Sequence, residues 1–251
     1  MIAEWRELDA ELALWRRGGL TLPLWWRDDD AVAPSPALER LSVLSRALDM
    51  PVHLAVIPAR ADPALARHVA QHPQLIPLVH GWAHENHAPA GDKKAEFGAH
   101  RLAGLALEDA ASGLRRLRDL FGPALRPVFV PPWNRIAGDV TVGLPALGFR
   151  VLSTARPRPL PEAAPGLAQV NTHLDPIDWH GTRGLLPAES LIAQLTADLR
   201  DRRTGRTDPD EPYGLLTHHL VHDEDIWAFS RAVLTRLLDG PARPWTAPTE
   251  D

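Results

Sequence analysis

The sequence predicts an α/β fold with a parallel β-sheet, arranged as a barrel or as a doubly wound sheet. Seven short apolar runs alternate along the chain with longer segments of helical character. The runs are apolar on both faces, which is typical of parallel strands that are buried on both sides. The chain of 251 residues suits one domain, because α/β barrels commonly span about 200–250 residues as a unit. We therefore expect a single domain over residues 1–251.

The predicted elements alternate regularly. The strands are Leu22–Trp26, Val52–Ile57, Leu75–Val79, Pro127–Val130, Phe149–Ser153, Leu167–Thr172 and Tyr213–Thr217. The helices lie near Pro36–Asp49, Pro63–His72, Leu107–Phe121, Val140–Leu147, Ala188–Arg203 and Asp225–Leu238. Alternating apolar and charged residues predict one more helix over residues 1–17, and the Pro-rich segment 241–251 predicts an extended tail. Two polar stretches, Ala88–Lys94 and Asp201–Pro212, are predicted surface loops.

The composition excludes several classes of function. There are no cysteines, so disulfides, thiolate metal sites and a cysteine nucleophile are ruled out. The formal charge is −5, with 27 Lys and Arg against 32 Asp and Glu, and no basic face is visible, so we expect no nucleic-acid partner. No apolar run has the length of a signal-peptide core or of the roughly 18 residues that a membrane span needs. We expect a cytoplasmic protein without a membrane span.

Polar clusters stand directly after the apolar runs, where parallel α/β folds collect their chemistry. The first cluster is Arg27-Asp28-Asp29-Asp30. Three successive carboxylates repel each other unless a cation or hydrogen bonds offset their charge. One of them could bind a metal ion while a neighbour acts as a general base. An acidic turn that caps the following helix is the alternative, and the triplet alone favours that alternative.

The second cluster is the segment 80–84, His-Gly-Trp-Ala-His, which follows the third apolar run. Two histidines four residues apart can meet on one side of a turn, and imidazole is a common ligand of zinc and similar ions. Two unrelated histidines are the alternative in a chain that holds 12 of them. A zincin motif is excluded, because position 88 is alanine where that motif needs a second histidine.

Three further clusters complete the pattern. Pro131 and Pro132 stiffen the backbone before Trp133, so the following N–H groups could point into a cleft, or the segment could be an ordinary rigid turn. Residues 175–180 combine two aspartates with a tryptophan, which suits a pocket wall or a capped turn. His218 closes the last apolar run; it could be a general acid or a structural histidine.

Taken in order, the five clusters resemble the five motifs of the polysaccharide deacetylase (NodB-homology) family. This resemblance implies an incomplete (β/α)7 barrel and one bound divalent ion, with zinc expected. The family's first motif, Thr-Phe-Asp-Asp-Gly, implies Asp28 as the catalytic base and Asp29 as a metal ligand. Its second motif, His-Ser-x-x-His, implies His80 and His84 as the other two ligands. Asp30 replaces the Gly of the first motif, so a register with Asp29 as the base and Asp30 as the ligand stays open.

The other three motifs imply the rest of the site. The third, Arg-x-Pro-aromatic-Gly, implies that Pro132 contacts the substrate and that the main-chain N–H of Trp133 binds the oxyanion. The fourth and fifth, Asp-x-x-Asp-Trp and Leu-x-His, imply His218 as the general acid, tuned by Asp178, with Trp179 on the substrate side.

The third motif is incomplete in this chain. Val130 and Asn134 stand where the family has Arg and Gly, and that arginine tethers the catalytic base in the family. Arg27 or Arg135, beside the first and third clusters, could supply the missing positive charge and reach the substrate.

The activity implied by the resemblance is metal-dependent hydrolysis of a carbon–nitrogen bond, most directly N-deacetylation of an N-acetylated sugar or saccharide. Two alternatives come from other classes. One is a hydrolase of a non-sugar amide, similar to ring-opening amidohydrolases such as allantoinase. The other is a non-catalytic carbohydrate-binding protein of the same fold, in which the loss of the arginine at position 130 marks lost catalysis.

Overall fold

The structure, a computed structural model, describes residues 4–249. Within this range the α-helices are α1 Arg6–Arg17, α2 Pro36–Leu48, α3 Pro63–Gln71, α4 Ala103–Phe121, α5 Gly138–Gly143, α6 Ala188–Arg203 and α7 Glu224–Leu238. The strands are β1 Leu22–Ala31, β2 Val52–Val56, β3 Leu75–His80, β4 Val128–Val130, β5 Val151–Leu152, β6 Glu162–Ala164, β7 Leu167–Gln169, β8 Tyr213–Thr217 and β9 Ala242–Pro244. None of the helices in this part of the chain is both long and apolar enough to cross a bilayer.

All strands belong to one sheet with the order β6-β7-β5-β4-β3-β2-β1-β8, and β9 pairs with the start of β1. Every ladder is parallel except that between β6 and β7. The seven strands of the parallel path curl toward closure, and the chain after β7 pairs with β8 through an isolated bridge between Leu174 and Leu215 in place of a continuous ladder. The predicted α/β fold and its incomplete (β/α)7 barrel are confirmed.

Three of the observed elements differ from the predicted ones in their bounds or type. β1 continues to Ala31, past the predicted end at Trp26, and so carries the acidic cluster within the strand. The predicted helix over residues 1–17 is found as Arg6–Arg17, and residues 1–3 lie outside the described range. The segment predicted as a tail holds β9, and the amide of Trp245 donates to the carbonyl of Leu24 at 2.7 Å. The tail therefore packs against the amino-terminal edge of the sheet.

The two faces of the strands bury two separate apolar clusters, because successive side chains of a strand point to opposite faces. The larger cluster lies between the sheet and the helices. The smaller one lies on the inner face and contains Trp25, Ala55, Ile76, Leu78, Val128, Val130, Val151, Val170 and Ala247. Arg27 and Asp29 follow Trp25 in steps of two along β1, so the same periodicity directs them to the inner face, above this cluster.

A buried ionic network joins the two margins of the barrel where the ladder is missing. Glu211 is fully buried and accepts hydrogen bonds from the amides of Asn171, at 3.1 Å, and of Arg158, at 3.0 Å. Its carboxylate also contacts the ring of His173 at 3.2 Å and the guanidinium of Arg202 at 3.5 Å. These contacts connect the chain beyond β7 to the start of β8.

We expect Glu211→Ala to lower the free energy of unfolding by about 3–5 kcal/mol, because it leaves a buried guanidinium and two amides without their acceptor. Urea denaturation followed by far-UV circular dichroism measures the change. Glu224→Ala is the control, since that glutamate pairs with Arg40 on the surface with its side chain 82% exposed, and it should leave the midpoint unchanged. Equal midpoints for the two variants would show that the Glu211 network does not hold the barrel margins.

Candidate metal centre and active-site cleft

A cleft of about 780 Å³ opens at the carboxyl ends of the barrel strands. Ligand sites of parallel α/β folds form at this edge, because the loops after the strands meet there. Residues from all five sequence clusters line the cleft, which is bounded by Asp29, Asp30, His80, His84, Lys93, Lys94, Trp133, Asn134, Arg135, Asp175, Trp179, His180, Arg183, Leu216 and His218.

A β-bulge near the end of β1 changes the direction of the acidic side chains. Asp28 pairs with Leu54 and Ala31 with Val56, so three steps on β1 oppose two steps on β2. Asp30, inside the bulge, has a φ of 73°, in the left-handed region that non-glycine residues rarely adopt. Strict alternation would direct Asp30 to the same face as Asp28; the extra residue turns it toward the cleft instead.

The carboxylate that meets the two histidines belongs to Asp30. Its Oδ1 lies 3.1 Å from Nε2 of His80 and 3.3 Å from Nε2 of His84. The three residues form a group whose ligand atoms all lie within 4.8 Å of one another. Asp29, the predicted ligand, is not part of this group, whereas Asp30, the ligand of the alternative register, is.

Hydrogen bonds prepare these residues for a cation. Nδ1 of His80 donates to the carbonyl oxygen of Val130 at 2.9 Å, which fixes the ring with Nε2 turned toward Asp30. The Asp30 carboxyl is ionised: burial opposes its charge, but the hydrogen bond and charge of His80 outweigh burial and hold the pKa of Asp30 well below its usual range. Two imidazoles and one carboxylate suit zinc and related ions.

A tight turn brings His84 back to His80. Gly81, with a φ of 55°, and His84, with a φ of 59°, both adopt the left-handed conformation. The buried carboxylate of Glu96 accepts the amides of Trp82, at 3.2 Å, and Ala83, at 2.8 Å. A Cβ at position 81 would overlap this carboxylate, so only glycine fits there. Sequence reasoning missed Glu96, which carries no motif of its own.

Arg27 and Asp29 form a buried pair beside the histidines. Nη2 of Arg27 donates to Oδ2 of Asp29 at 3.0 Å, and Nε lies 2.9 Å from Oδ1 at an angle that makes this second contact ionic only. Arg27 is fully buried and also donates to Oδ1 of Asn134 and Oγ of Ser153, both at 2.8 Å. It therefore links the end of β1 to the segments after β4 and β5.

The two arginines that were predicted near the substrate lie in different places. Arg27 does not line the cleft where the sequence predicted a substrate contact, and it places its positive charge beside the acidic cluster instead. Arg135 lines the cleft, and its Nη1 donates to the carbonyl of Lys94 at 2.7 Å. Of these two arginines, Arg27 contacts Asp29. The chain has an uncharged valine at position 130, where the family has arginine.

Asp28, the predicted catalytic base, lies outside the cleft. It is fully buried, accepts Oγ1 of Thr217 at 2.6 Å and the amide of His219 at 3.0 Å, and pairs with the His219 ring. Burial opposes its charge, but the charge and hydrogen bond of His219 outweigh burial and lower the pKa of Asp28. Both oxygens have partners, and these contacts tie β1 to the segment after β8.

His218 lines the opposite side of the cleft, together with Asp175 and Trp179. The ring of Trp179 meets that of His218 edge to face at 4.6 Å between centroids, and its Nε1 donates to Oδ2 of Asp175 at 2.7 Å. Burial raises the pKa of Asp175, and the nearby charge of His218 works against that rise. The predicted partner, Asp178, instead accepts the amides of Gly181 and Thr182 in a turn. The fourth motif thus offers Asp175, not Asp178, to His218.

The turn after β4 places an aromatic wall over the second histidine. Trp133 and Asn134 both have a φ of 56°, and the ring of Trp133 lies 4.4 Å from that of His84. The amides of Asn134 and Arg135 bond to carbonyls of the two preceding prolines, whereas within residues 4–249 the amide of Trp133 donates to no acceptor outside its own turn. Pro132, predicted to contact substrate, is buried under Gly81 and does not line the cleft.

A second group of possible ligands lies outside the barrel. Glu39 on α2, His68 on α3 and His72 directly after α3 have ligand atoms within 4.8 Å of one another. The ring of His72 hydrogen-bonds to the carbonyl of His68, and the two rings stack at 4.2 Å. This group must be accounted for when metal content is measured.

Comparison with known proteins finds likeness in three-dimensional structure only. No protein-family model matches the sequence, and no curated protein matches it. A family 4 carbohydrate esterase from Streptomyces lividans, in complex with acetate, is 12% identical with a TM-score of 0.55, and the match covers 90% of this chain and 92% of that one. A family 4 acetyl xylan esterase from Clostridium thermocellum, in complex with a cobalt ion, is 13% identical with a TM-score of 0.53 and coverage of 89% and 87%.

A third structure widens the comparison. A mutant CE4 family pseudoenzyme with restored enzymatic activity is 12% identical with a TM-score of 0.57, and the match covers 89% of this chain and 65% of that one. At such identities the likeness shows a shared fold, and the predicted resemblance to polysaccharide deacetylases is confirmed at that level.

The metal ligands can be identified with two neighbouring substitutions of the same size. We expect Asp30→Asn to weaken zinc binding by more than the roughly 10–100-fold that loss of an outer contact to a ligand causes, and Asp29→Asn to change it much less. Competition titration with a chromophoric chelator measures both affinities, in a His68→Ala/His72→Ala background that removes the outer group. A larger loss in Asp29→Asn than in Asp30→Asn would reverse our assignment.

Proposed function

We propose that this protein is a divalent-metal-dependent amide hydrolase that removes the acetyl group from an N-acetylated sugar. One observation carries the proposal: a carboxylate tethered by a buried arginine lies beside a second carboxylate that meets two histidines, in one cleft, with a further histidine opposite. The two esterase structures that share the fold, one in complex with acetate and one an acetyl xylan esterase, support hydrolytic removal of an acetyl group as the reaction class.

Asp30, His80 and His84 would hold the ion, which we expect to be zinc. Bound there, a divalent ion would supply Lewis-acid activation of the scissile carbonyl and of the attacking water. The ring of His80, oriented by its bond to the carbonyl of Val130, and the anionic Asp30 match the donor types that this ion prefers.

Asp29 is the general base in this proposal. Its carboxylate lines the cleft next to Asp30, yet Arg27 binds it and holds it away from the histidine group. A base must keep a lone pair for the proton of the attacking water, so it cannot be a ligand at the same time. The hydrogen bonds from Arg27 to Asn134 and Ser153 hold Arg27 in place, so Asp29 is already oriented before the substrate binds.

His218 and Trp133 complete the reaction. As the water oxygen bonds to the carbonyl carbon, the main-chain N–H of Trp133 donates to the oxyanion. His218 then gives a proton to the amide nitrogen, the C–N bond breaks, and acetate and the free amine are released. Asp175 faces the same side of the cleft and holds the indole of Trp179, whose ring packs against His218, which makes Asp175 a positioning residue.

The test is acetate release from N-acetylated mono- and oligosaccharides by the zinc-loaded protein. We expect Asp29→Asn and His218→Ala to lower kcat by about 10²–10⁴-fold, since each removes one proton transfer, while the zinc content stays constant. Asp175→Ala should lower kcat, and Asp178→Ala is its matched control, because that side chain only caps a turn.

Two results would overturn the proposed reaction, and a third would revise its mechanism. Zinc binding without hydrolysis of any amide would favour the non-catalytic sugar-binding alternative. Hydrolysis restricted to cyclic or other non-sugar amides would favour the second hydrolase class. Full activity in Asp29→Asn would remove Asp29 from the mechanism and leave the reaction class standing.

A further inference from the structure

The rim of the cleft is cationic although the chain as a whole is acidic. Lys93 and Lys94 in one loop, Arg135 after β4, and His180 and Arg183 in the loop after Trp179 all line it. Lys93 and Lys94 are the only two lysines of the chain, whose formal charge is −5. Cationic side chains from three separate loops thus converge on one opening.

These rim charges have no acidic partners of their own. Among residues 4–249, no ion pair joins a carboxylate to Lys93, Lys94, Arg135 or Arg183. The hydrogen bond from Arg135 to the carbonyl of Lys94 ties two of the three loops together. An exposed cation without a partner can offer its full charge to a ligand, subject to screening over about 8 Å in physiological salt.

The acidic groups deeper in the cleft do not neutralise the rim. Asp29 is bound to Arg27, and Asp30 meets His80 and His84. The exposed acids nearest in sequence to the lysines, Glu85 and Asp92, do not line the cleft. A surface with scattered charge would mix both signs on the rim; here the acids face the reaction centre and the cations face the entrance.

We propose that this rim, Lys93, Lys94, Arg135 and Arg183, binds an anionic oxygen group, a phosphate or a carboxylate, carried by the substrate on the side away from the scissile amide. The inference rests on the proposed function and specifies its substrate class as an anionic N-acetylated sugar. Lys and Arg side chains recognise such groups as point charges and through paired N–H donors respectively. Arg183 also lies over the ring of Trp179 at 5.5 Å, which places its charge beside the aromatic wall of the cleft.

The experiment measures equilibrium binding, so it does not depend on turnover. The zinc-loaded His218→Ala protein is titrated calorimetrically with N-acetylglucosamine, its 1-phosphate, its 6-phosphate and N-acetylmuramic acid. We expect at least one anionic sugar to bind about tenfold or more tightly than the neutral sugar, corresponding to roughly 1.4 kcal/mol, with the preference falling as salt is raised. The phosphate and carboxylate arms identify the anion.

The variant Lys93→Gln/Lys94→Gln should reduce the ratio of anionic to neutral affinity toward one. Arg67→Gln/Arg231→Gln is the control, because it removes the same net charge from exposed positions on α3 and α7 and should leave the ratio intact.

Chemical modification provides a second test on the unmutated side chains. Reductive methylation keeps the charge of the two lysines and should keep the ratio, whereas acetylation removes the charge and should abolish it.

The proposal is overturned if wild-type rim residues give no preference for any anionic sugar, or if the preference survives in Lys93→Gln/Lys94→Gln and after acetylation. Failure of the proposed function looks different. A preference that depends on the lysines, together with no acetate release by the protein with His218 intact, would refute the deacetylase reaction while the anion-binding rim stands.

Discussion

The buried contact between Arg27 and Asp29 is the interaction on which the rest of the cleft depends. A fully buried guanidinium is costly unless its donors are satisfied, and here they reach Asp29, Asn134 and Ser153. The contact fixes three strand ends relative to one another. It also assigns different tasks to adjacent carboxylates, since the one bound by arginine is withheld from the histidines and the next is free to meet them. In the proposed function, metal binding and base catalysis belong to two consecutive residues.

Backbone strain is concentrated around that contact. Seven non-glycine residues in the described part of the chain have positive φ, and five of them line the cleft: Asp30, His84, Trp133, Asn134 and Arg183. Such conformations cost of order 1–3 kcal/mol each and persist where the surroundings over-determine them. The buried Glu96 does this for the histidine turn. These backbone conformations direct Asp30, His84 and the amide of Trp133 toward the same cleft, which regular strand geometry would not do.

Seven apolar runs with the periodicity of buried strands predicted a parallel α/β fold, and the resemblance of the polar clusters to the polysaccharide deacetylase motifs implied the incomplete barrel. The sequence also predicted that His80 and His84 belong with an acidic residue of the triplet. The sequence could not show that Asp30 is the carboxylate beside the histidines. Its direction depends on a β-bulge that adds one residue to β1, and no residue pattern in the sequence marks that bulge. The sequence also could not show which of Asp175 and Asp178 lies near His218. Only the structure of the local turn shows that Asp178 accepts the amides of that turn. Asn134 in place of glycine, by contrast, is understandable afterwards, as asparagine tolerates the positive φ found there.

In the proposed function Asp30 is the metal ligand and Asp29 is the general base. Anomalous diffraction from zinc-soaked crystals distinguishes these two roles. We expect one anomalous peak in the cleft, with a carboxylate oxygen of Asp30 and Nε2 of His80 and His84 within about 2.0–2.2 Å, and with Asp29 still bound to Arg27. A peak coordinated by Asp29 or Asp28, or zinc at the Glu39 group with none in the cleft, would contradict the claim.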